Sequence, residues 1–346
     1  MDPGIGQRVP YNAAVILAGD IGGTKTILGL FSRDGKKLQT LAEQKFPSQG
    51  YRSLEAMIRD FIDAHQDLIA RDPIKNCAVG IAGPVVNGRS HLVNLKWRAD
   101  AGRLARSLNL PRAWVLNDLE ATGWGVRELP SRKLHNLTPG VRPRAGNAAL
   151  IAAGTGLGTA TMFWNGTRHV PSAGEGGHQN FAPRTLDEIE LLRFMMRRYK
   201  RVSIERIVAG PGLGAIYEFL VESGRYKKTA RMQRVLDEEQ DDNAAVSRMG
   251  LAGKDAGARR ALEMFVSLYG AVAGDLALVT RALGGIYVGG GIAPKILDAI
   301  DGGAFVEAFR DKGRLRSFVE TIPVKVILEP RTALLGAAAR AAADDV

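Results

Sequence analysis

The sequence predicts an α/β protein that is built from two similar halves. Its 346 residues suffice for two domains of ordinary size. An apolar run of strand length, a glycine turn and a second apolar run occur near residue 20, and the same order returns near residue 150. Helical patterns follow each copy. The two glycine turns lie about one domain apart, which indicates that each half is an α/β unit.

The first half alternates short apolar runs with amphipathic segments. A glycine turn at residues 22–24 joins the first two runs directly, which is typical of a hairpin. Apolar side chains recur on one face of the segment 53–69, as they do in an amphipathic helix. The predicted elements of this half are strands at 13–18, 26–31, 78–81, 91–93 and 113–116, and helices at 53–69 and from about residue 120.

The second half repeats the hairpin around Gly154, Thr155 and Gly156. A third glycine turn, at residues 289–291, follows a strand that is preceded by a long helical pattern. The segment 229–254 is polar and acidic in its middle, so we interpret it as a surface excursion. The predicted elements of this half are strands at 148–153, 159–164, 284–288 and 324–328, and helices at 186–199, 214–222, 257–283 and from residue 333.

Composition excludes several classes of protein. The one cysteine, Cys77, excludes a disulfide scaffold and a zinc site that needs two thiolates, and its apolar neighbours indicate a buried structural thiol. A membrane span needs about 18 uncharged apolar residues, whereas the best segment, 264–274, ends at Asp275. Residues 1–7 show no basic region followed by an apolar stretch, so no secretory signal is recognised. We therefore expect a cytoplasmic protein without a membrane partner.

The charge balance is strongly basic. The chain has 47 Lys and Arg against 36 Asp and Glu, a net charge of +11. Such a charge suits a nucleic-acid partner, but only 6% of the residues are aromatic and no platform for stacking bases is visible. Much of the excess lies in the helical stretch 193–201. We interpret it as a solvated surface that steers anionic substrates, and we expect no nucleic-acid partner.

The three glycine turns are candidates for binding phosphate. Backbone N–H groups bind phosphate oxygens well, and glycine lets the backbone approach closely. Each turn alone also has the plain interpretation of a chain reversal, but three of them favour a nucleotide between two domains. No P-loop pattern occurs. The turn at 154–158 is followed by an apparent strand, so a dinucleotide-binding helix is not indicated.

Two groups of polar residues are candidates for chemistry. Asp118, beside Asn117, follows a predicted strand and is either a general base or the N-cap of the next helix. Glu175 and His178 have the spacing of a helical metal motif, but the glycines around them argue against a helix. In a glycine loop this pair suits hydrogen bonds to a polyhydroxyl ligand, and the alternative is an ordinary surface histidine.

Several motifs in one order resemble those of the bacterial glucokinase family, within the hexokinase, Hsp70 and actin superfamily. The resemblance runs from about Val15 to Ala339. Its most specific parts are the strings from Gly154 to His178 and from Ser203 to Leu213. The motifs are DIGGT at 20–24, LND at 116–118, GTGLG at 154–158, GEGGH at 174–178, SIER at 203–206, GPGL at 210–213 and VGGGI at 288–292.

The resemblance implies an actin-like ATPase fold of two ribonuclease-H-like α/β domains with a cleft between them. We expect a small domain at residues 13–119, completed by the C-terminal helix 330–346, and a large domain at 120–329. Residues 1–12 are then an N-terminal tail. The resemblance further implies ATP with Mg²⁺ in the cleft and glucose deeper inside. Relatives of this kind are often homodimers.

The same resemblance assigns roles to individual residues. Asp118 matches the catalytic base that accepts the proton of the 6-hydroxyl of glucose, which then attacks the terminal phosphorus of ATP. Asp20 also matches a position near the metal, usually through water. The positions that match sugar binding are Asn117, Glu175, His178 and Glu205; those that match ATP binding are Asp20, Gly22, Gly23, Thr24, Gly154, Thr155, Gly156, Gly289 and Gly290.

Two alternative functions stay open at this point. A pocket discriminates between sugars through hydroxyl contacts that a sequence does not display, so glucosamine, mannose or N-acetylmannosamine is a possible acceptor. The basic charge is compatible with a sugar-sensing regulator, although a pure sensor does not need a base at Asp118. Lys25 follows the first glycine turn, where relatives often carry Asn, and its role is open.

Overall fold

The computed structural model describes residues 15–35, 37–92, 95, 97–239 and 241–343. The predicted tail at 1–12 lies outside the described residues, as do the first two residues of the predicted strand at 13–18 and position 93. Contacts divide the chain into two compact units. The first comprises the residues up to Leu129 together with those from Arg331, and the second runs from Pro130 to Pro330.

Strands and helices alternate along both units. The strands are β1 (Val15–Ile21), β2 (Lys25–Asp34), β3 (Lys37–Pro47), β4 (Ile74–Ile81), β5 (Arg89–Leu92), β6 (Trp97–Asp100), β7 (Trp114–Asn117), β8 (Leu134–Asn136), β9 (Ala148–Ala153), β10 (Leu157–Trp164), β11 (His169–Gly174), β12 (Gly285–Gly289) and β13 (Val324–Ile327). The helices are α1 (Leu54–Asp63), α2 (Gln66–Arg71), α3 (Ala101–Ser107), α4 (Asp118–Gly125), α5 (Leu186–Met196), α6 (Gly210–Glu222), α7 (Ala230–Glu238), α8 (Asp242–Leu251), α9 (Ala256–Thr280), α10 (Leu297–Asp301), α11 (Ala304–Arg310), α12 (Arg316–Val319) and α13 (Thr332–Ala341).

The first unit contains a five-stranded mixed sheet in the order β3-β2-β1-β4-β7. Strands β1, β4 and β7 are parallel, while β2 and β3 return as antiparallel neighbours. Alternate residues of β1 contribute to cores on the two faces of the sheet, with Leu17 beside α1 and Ala18 beside α13. Burial on both faces explains why the strand appears in the sequence as one continuous apolar run.

The second unit repeats this topology. Its sheet has the order β11-β10-β9-β12-β13-β8, in which β9, β12 and β13 are parallel and the hairpin β9–β10 is antiparallel. Strands β9, β10, β11, β12 and β13 thus take the places that β1, β2, β3, β4 and β7 have in the first unit. The duplication that the two glycine hairpins predicted is therefore present in the sheet order, and β8 is an additional edge strand.

Helices α4 and α13 pack backbone against backbone in the first unit. A Cβ atom on Gly336 would lie 1.7 Å from the carbonyl oxygen of Ala121, and one on Gly125 would lie 1.9 Å from that of Thr332. Only glycine allows two helices to approach so closely. Helix α13 also covers one face of the sheet with Leu334 and other apolar side chains. The C-terminal helix is thus part of the unit that begins with β1.

Three predictions differ from the structure. The helix at 53–69 is two helices, α1 and α2, because the chain turns at Ala64 and His65. The predicted boundary at 119 and 120 falls inside α4, which packs on α13, so the division between the units comes after Leu129. The segment 229–254 is not a plain surface excursion: it forms α7 and α8, and four of its side chains are buried in the core of the second unit. They are Met232, Ala245, Val246 and Met249.

Helix α9 is the central helix of the second unit. Among the described residues it alone has the length and composition of a membrane-spanning helix, although Asp275 interrupts its apolar run as noted above. However, 61% of its most apolar window is buried in the structure, and Phe265 and Tyr269 belong to the core cluster of this unit. Its apolar character is therefore explained by core packing.

Candidate active site

The first glycine turn joins β1 to β2. The N–H of Gly22 donates to the carbonyl oxygen of Lys25 at 3.1 Å. A Cβ on Gly22 would lie 2.8 Å from that same oxygen, so the turn requires glycine. Ser48 holds the turn from the end of β3, since its hydroxyl donates to the Gly22 carbonyl at 2.7 Å and its N–H donates to the Thr24 carbonyl at 3.0 Å. Gly23 and Thr24 form the tip of a braced turn.

Asp20 and Asp118 lie at the same edge of the first sheet, where the parallel strands β1 and β7 end. The register places Asp20 beside Gly80 and Ile81 beside Asn117. Burial raises the pKa of Asp20 to about 6, the negative charge of Asp118 adds to the rise, and the charge of Lys25 opposes it. The two carboxylates are therefore electrostatically coupled, as a shared role at one site requires.

The structure decides which residue caps α4. The Oδ1 atom of Asn117 accepts from the N–H groups of Leu119 at 2.9 Å and Glu120 at 3.4 Å, so Asn117 is the N-cap. The alternative that Asp118 is the cap is wrong: Asp118 is the first residue of the helix, and its Oδ1 accepts from the N–H of Leu119 at 2.9 Å. A carboxylate at this position is stabilised by the helix dipole.

The capping bonds also fix the side chain of Asn117. Its Nδ2 donates to the carbonyl oxygen of Gly83 at 2.9 Å, which ties the start of α4 to the loop after β4. Gly80 lets α4 approach that strand, because a Cβ there would lie 2.8 Å from the Cβ of Ala121. The start of α4, and with it Asp118, is therefore held by three separate contacts.

The second glycine turn, in the second unit, is braced by Glu205. The N–H of Gly154 donates to the Gly156 carbonyl at 2.8 Å, and the N–H of Gly210 donates to the Gly154 carbonyl at 2.8 Å. The Oε2 atom of Glu205 accepts from the N–H of Leu157 at 3.0 Å. A Cβ on Gly156 would lie 2.6 Å from this oxygen. Thr155 is thus the tip of a turn that is held on one side by Glu205 and on the other by the start of α6.

Glu175 and His178 lie at a 3₁₀ turn, Gly176–His178, and not on an α-helix. Their side chains are exposed, and His178 Nε2 lies 3.9 Å from Glu175 Oε2. A Cβ on Gly177 would lie 1.9 Å from the Leu157 carbonyl, so this turn packs directly on β10. The N–H of Ile204 donates to the Gln179 carbonyl at 2.8 Å, which brings the segment of Glu205 beside the 3₁₀ turn. The structure therefore gathers the three predicted sugar-binding residues of this unit.

The third glycine turn adjoins the second through Tyr269, a residue that our sequence analysis missed. The buried hydroxyl of Tyr269 accepts from the N–H of Ala153 at 3.1 Å and lies 3.4 Å from the Ile151 carbonyl and 3.3 Å from the Gly289 carbonyl. It therefore joins the ends of β9 and β12, each of which leads into a glycine turn. In the sequence Tyr269 is one aromatic residue within an apolar helical pattern, and that pattern does not indicate hydrogen bonds to two strand ends.

A cavity of about 630 Å³ opens beside these two turns. It extends from Gly210 and Ile292 to helix α8, and its apolar lining includes Leu213 and Phe265. The cavity is large enough for a purine nucleoside. The predicted surface excursion supplies much of its wall through Ala244, Ser247 and their neighbours, so the error in that prediction hid a part of the candidate site.

We expect Asp20→Asn to stabilise the metal-free protein at pH 8 but not at pH 4. The folded-state pKa of about 6 lies above the ordinary value of 3.8, so the proton is bound more tightly in the folded state. That contribution is fully present below pH 3.8 and is lost as the pH rises through 6. The difference corresponds to about 3 kcal/mol in the free energy of unfolding.

Urea denaturation of both proteins at the two pH values measures this effect. Asp34→Asn, an exposed carboxylate at the far end of β2, is the matched control and should change stability little at either pH. Equal stability of Asp20→Asn and the wild type at pH 8 would contradict the assigned burial of the charge.

Comparison with known proteins identifies the family. The family model described as Glucokinase matches residues 17–344. The chain belongs to the glucokinase family. The glucokinase of Trichormus variabilis is 39% identical over 341 residues, which cover 95% of this chain and 99% of that protein.

Solved glucokinase structures share the fold. The glucokinase of an Antarctic psychrotroph has a TM-score of 0.84 at 27% identity, covering 95% of this chain and 99% of that one. A ROK family glucokinase from Streptomyces griseus, in complex with glucose and AMPPNP, has a TM-score of 0.59 at 22% identity, with 95% and 99% coverage. The predicted family, the actin-like ATPase fold and the prediction of a kinase are confirmed.

Proposed function

We propose that this member of the glucokinase family transfers the terminal phosphoryl group of ATP to the 6-hydroxyl of glucose. The coupled carboxylates Asp20 and Asp118 beside the first glycine turn are the observation that carries this proposal. A general base and a phosphate-binding turn at one sheet edge are what such a transfer needs.

Asp118 is the proposed general base. Its carboxylate accepts the proton of the sugar 6-hydroxyl as that oxygen attacks the terminal phosphorus, and the bond to the leaving ADP oxygen breaks. The dipole of α4 favours the ionised carboxylate that can accept a proton. The cap at Asn117 and the contact of α4 with β4 fix its position. A base held in this way adds about 10²- to 10⁴-fold to the rate.

Asn117, Glu175, His178 and Glu205 are the proposed sugar-binding residues. Glu175 and His178 have exposed side chains at one turn, which leaves both available to sugar hydroxyls. Glu205 Oε2 accepts from the N–H of Leu157, and we propose that the other carboxylate oxygen accepts from a sugar hydroxyl. Glu205 then contacts the sugar and braces the second glycine turn at once. Hydrogen bonds to such charged acceptors contribute about 1.5–3 kcal/mol each.

The three glycine turns are the proposed nucleotide-binding segments of the two units. Gly22, Gly23 and Thr24 bind phosphate in the first unit, and Gly154, Thr155 and Gly156 do so in the second. Gly289 and Gly290 adjoin the adenosine, whose base fits the cavity between α6 and α8. A Cβ on Gly290 would lie 2.2 Å from the Ala153 carbonyl, so these two turns of the second unit touch.

The residues present fit a Mg²⁺ ion that arrives with the nucleotide. The described residues contain no cluster of three or more His, Cys, Asp or Glu that would hold a resident metal ion. The coupled, partly buried Asp20 and Asp118 carry a negative charge that a cation relieves. Mg²⁺ typically binds one or two carboxylates together with substrate phosphates and waters, and Asp20 is the proposed partner, through water. When bound, the ion neutralises phosphate charge.

A steady-state assay with ATP, Mg²⁺ and glucose tests the proposed function. Formation of glucose 6-phosphate supports it, and its absence with folded protein contradicts it. Comparison of kcat/KM among glucose, glucosamine, mannose and N-acetylmannosamine decides whether glucose is the preferred acceptor. We also propose, from the family resemblance, a homodimer in the cytoplasm. Light scattering of the purified protein measures its mass, and fractionation of cells locates it.

We expect Tyr269→Phe to raise the KM for ATP several-fold while the KM for glucose changes little. The substitution removes the hydroxyl that joins the ends of β9 and β12, and an unpaired buried N–H at Ala153 costs about 1–3 kcal/mol of stability. Tyr217→Phe is the matched control, because the buried Tyr217 hydroxyl has no hydrogen-bond partner among the described residues. A similar loss in both variants would show that the effect is not specific to the strand ends.

We expect Ala244→Trp to weaken ATP binding at least tenfold. Ala244 lines the cavity beside α6, and an indole there would occupy the volume assigned to the base. Ala230→Trp, on the neighbouring helix α7 outside the cavity lining, should bind ATP as the wild type does. Isothermal titration calorimetry measures both. Unchanged ATP affinity in Ala244→Trp would place the base elsewhere.

A further inference from the structure

Lys25 projects toward the same side of the first hairpin as Asp20. It is the first residue of β2, directly after the glycine turn, and its carbonyl oxygen closes that turn by accepting from Gly22. Asp20 pairs with Ile27 across the two strands. Side chains alternate along a strand and cross-strand partners share a face, so Lys25, two residues from Ile27, lies on the face of Asp20.

The ammonium group of Lys25 forms no ion pair within the described part of the chain. Its side chain is exposed and makes no hydrogen bond or ion pair with another described residue. Lys133 and Lys312 differ in this respect, since Lys133 lies 3.1 Å from Glu329 and Lys312 lies 2.7 Å from Asp275. The charge of Lys25 nevertheless lowers the pKa of Asp20, so its ammonium group acts on the carboxylate edge without forming a contact there.

We propose that Lys25 binds the terminal phosphate of the nucleotide at the first glycine turn. This inference rests on the proposed function, since it assigns a further residue to the same transfer. The turn itself offers backbone N–H groups, which carry only partial charges, and the neighbouring Asp20 and Asp118 are negative. Mg²⁺ neutralises part of the triphosphate charge, and a full positive charge on the protein side would add to that neutralisation at this edge. Lys25 supplies it at the end of a flexible four-carbon chain.

A role of Lys25 at the terminal phosphate predicts different effects on the binding of ATP and of ADP. The third phosphate is absent from ADP, so a lysine that binds that phosphate contributes to the affinity for a triphosphate and not to the affinity for a diphosphate. During transfer the same ammonium group stays near the oxygens of the terminal phosphoryl group, over which negative charge is spread. It therefore lowers the barrier to phosphoryl transfer as well as the dissociation constant of the triphosphate. A solvated lysine at a turn would do neither.

Calorimetric titration of AMPPNP and ADP, each with Mg²⁺ and glucose, tests the proposal in wild type and Lys25→Gln. We expect the variant to lose about tenfold or more in affinity for AMPPNP and less than about twofold for ADP. Lys25→Arg, which keeps the charge, should recover part of the loss. Lys37→Gln, an exposed lysine at the other end of the β2–β3 hairpin, removes the same charge and should change neither affinity. A thermal melt checks that each variant is folded.

The outcomes are distinguishable. An equal affinity of Lys25→Gln and wild type for AMPPNP, or an equal loss for both nucleotides, overturns the role of Lys25 while leaving the proposed function standing. Failure of the wild type itself to bind either nucleotide overturns the proposed function and this inference with it. Turnover gives a second measurement: kcat should fall in Lys25→Gln while the KM for glucose is unchanged.

Discussion

Asp118→Asn will reduce the kcat for glucose phosphorylation by about 10²- to 10⁴-fold while sugar affinity stays within about an order of magnitude. Asparagine keeps the size of the side chain but cannot accept the proton of the attacking hydroxyl. The cap of α4 remains, because it is made by Asn117 and not by Asp118. The fold and the proposed sugar-binding residues are therefore retained while the proposed base is lost.

Glu120→Gln is the matched control for this substitution. It removes a carboxylate from the same first turn of α4, and the side chain of Glu120 interacts with Arg340. If loss of charge at the helix N-terminus explained the effect of Asp118→Asn, the control would lose the same activity. Steady-state kinetics and glucose titration of both variants make the comparison. Wild-type turnover in Asp118→Asn would remove the base assignment.

Gly336→Ala will lower the free energy of unfolding by about 2 kcal/mol or more. The added methyl group would lie 1.7 Å from the Ala121 carbonyl and 2.6 Å from the Gly125 N–H, both of which are backbone atoms that cannot move aside without moving α4. Alanine favours a helix by about 1 kcal/mol over glycine, which only partly offsets the clash. Because α4 begins at Asp118, a displaced helix should also lower kcat.

Gly50→Ala is the control for Gly336→Ala. It lies in the same unit, at a turn after β3, and the nearest atom to its added Cβ is a side-chain carbon of Pro47 at 3.7 Å. Urea denaturation should give a change within about 0.5 kcal/mol for this variant. Gly125→Ala, on the opposite helix, should reproduce the loss. Wild-type stability of Gly336→Ala would show that the two helices do not meet at this distance.

Strands β9 and β7 could be predicted because each lies within a continuous apolar run of the sequence. The apolar run 148–153 coincides with β9, and the run at 113–116 lies within one residue of β7. Strands β3 and β11, each at an edge of its sheet, were not predicted. Strand β3 has mostly polar side chains and is largely exposed, and β11 ends in small exposed residues, so neither has the apolar pattern that marks a strand.

The candidate site shows the same division between local and tertiary information. The glycine turns and Asp118 were recognisable because each belongs to a motif whose residues lie within a few positions of one another in the sequence. The cap at Asn117 depends on side-chain geometry that two adjacent polar residues leave ambiguous. Tyr269 bonds to Ala153, which lies more than a hundred residues before it, and to Gly289, which lies twenty residues after it. The cavity wall at α8 likewise depends on the packing of a polar segment against α6 and α9.

The place of α13 has a consequence for the order in which the protein is made. Residues 130–330 are contiguous, so the second unit is complete in sequence while the polypeptide is still being synthesised. The first unit emerges earlier from the ribosome, yet Ile16, Ala18 and Ala78 are without their helical partner until Leu334 has been translated. One apolar face of the first sheet is thus uncovered for most of the synthesis of the chain. The second unit, although most of it is translated later, is the one able to fold first.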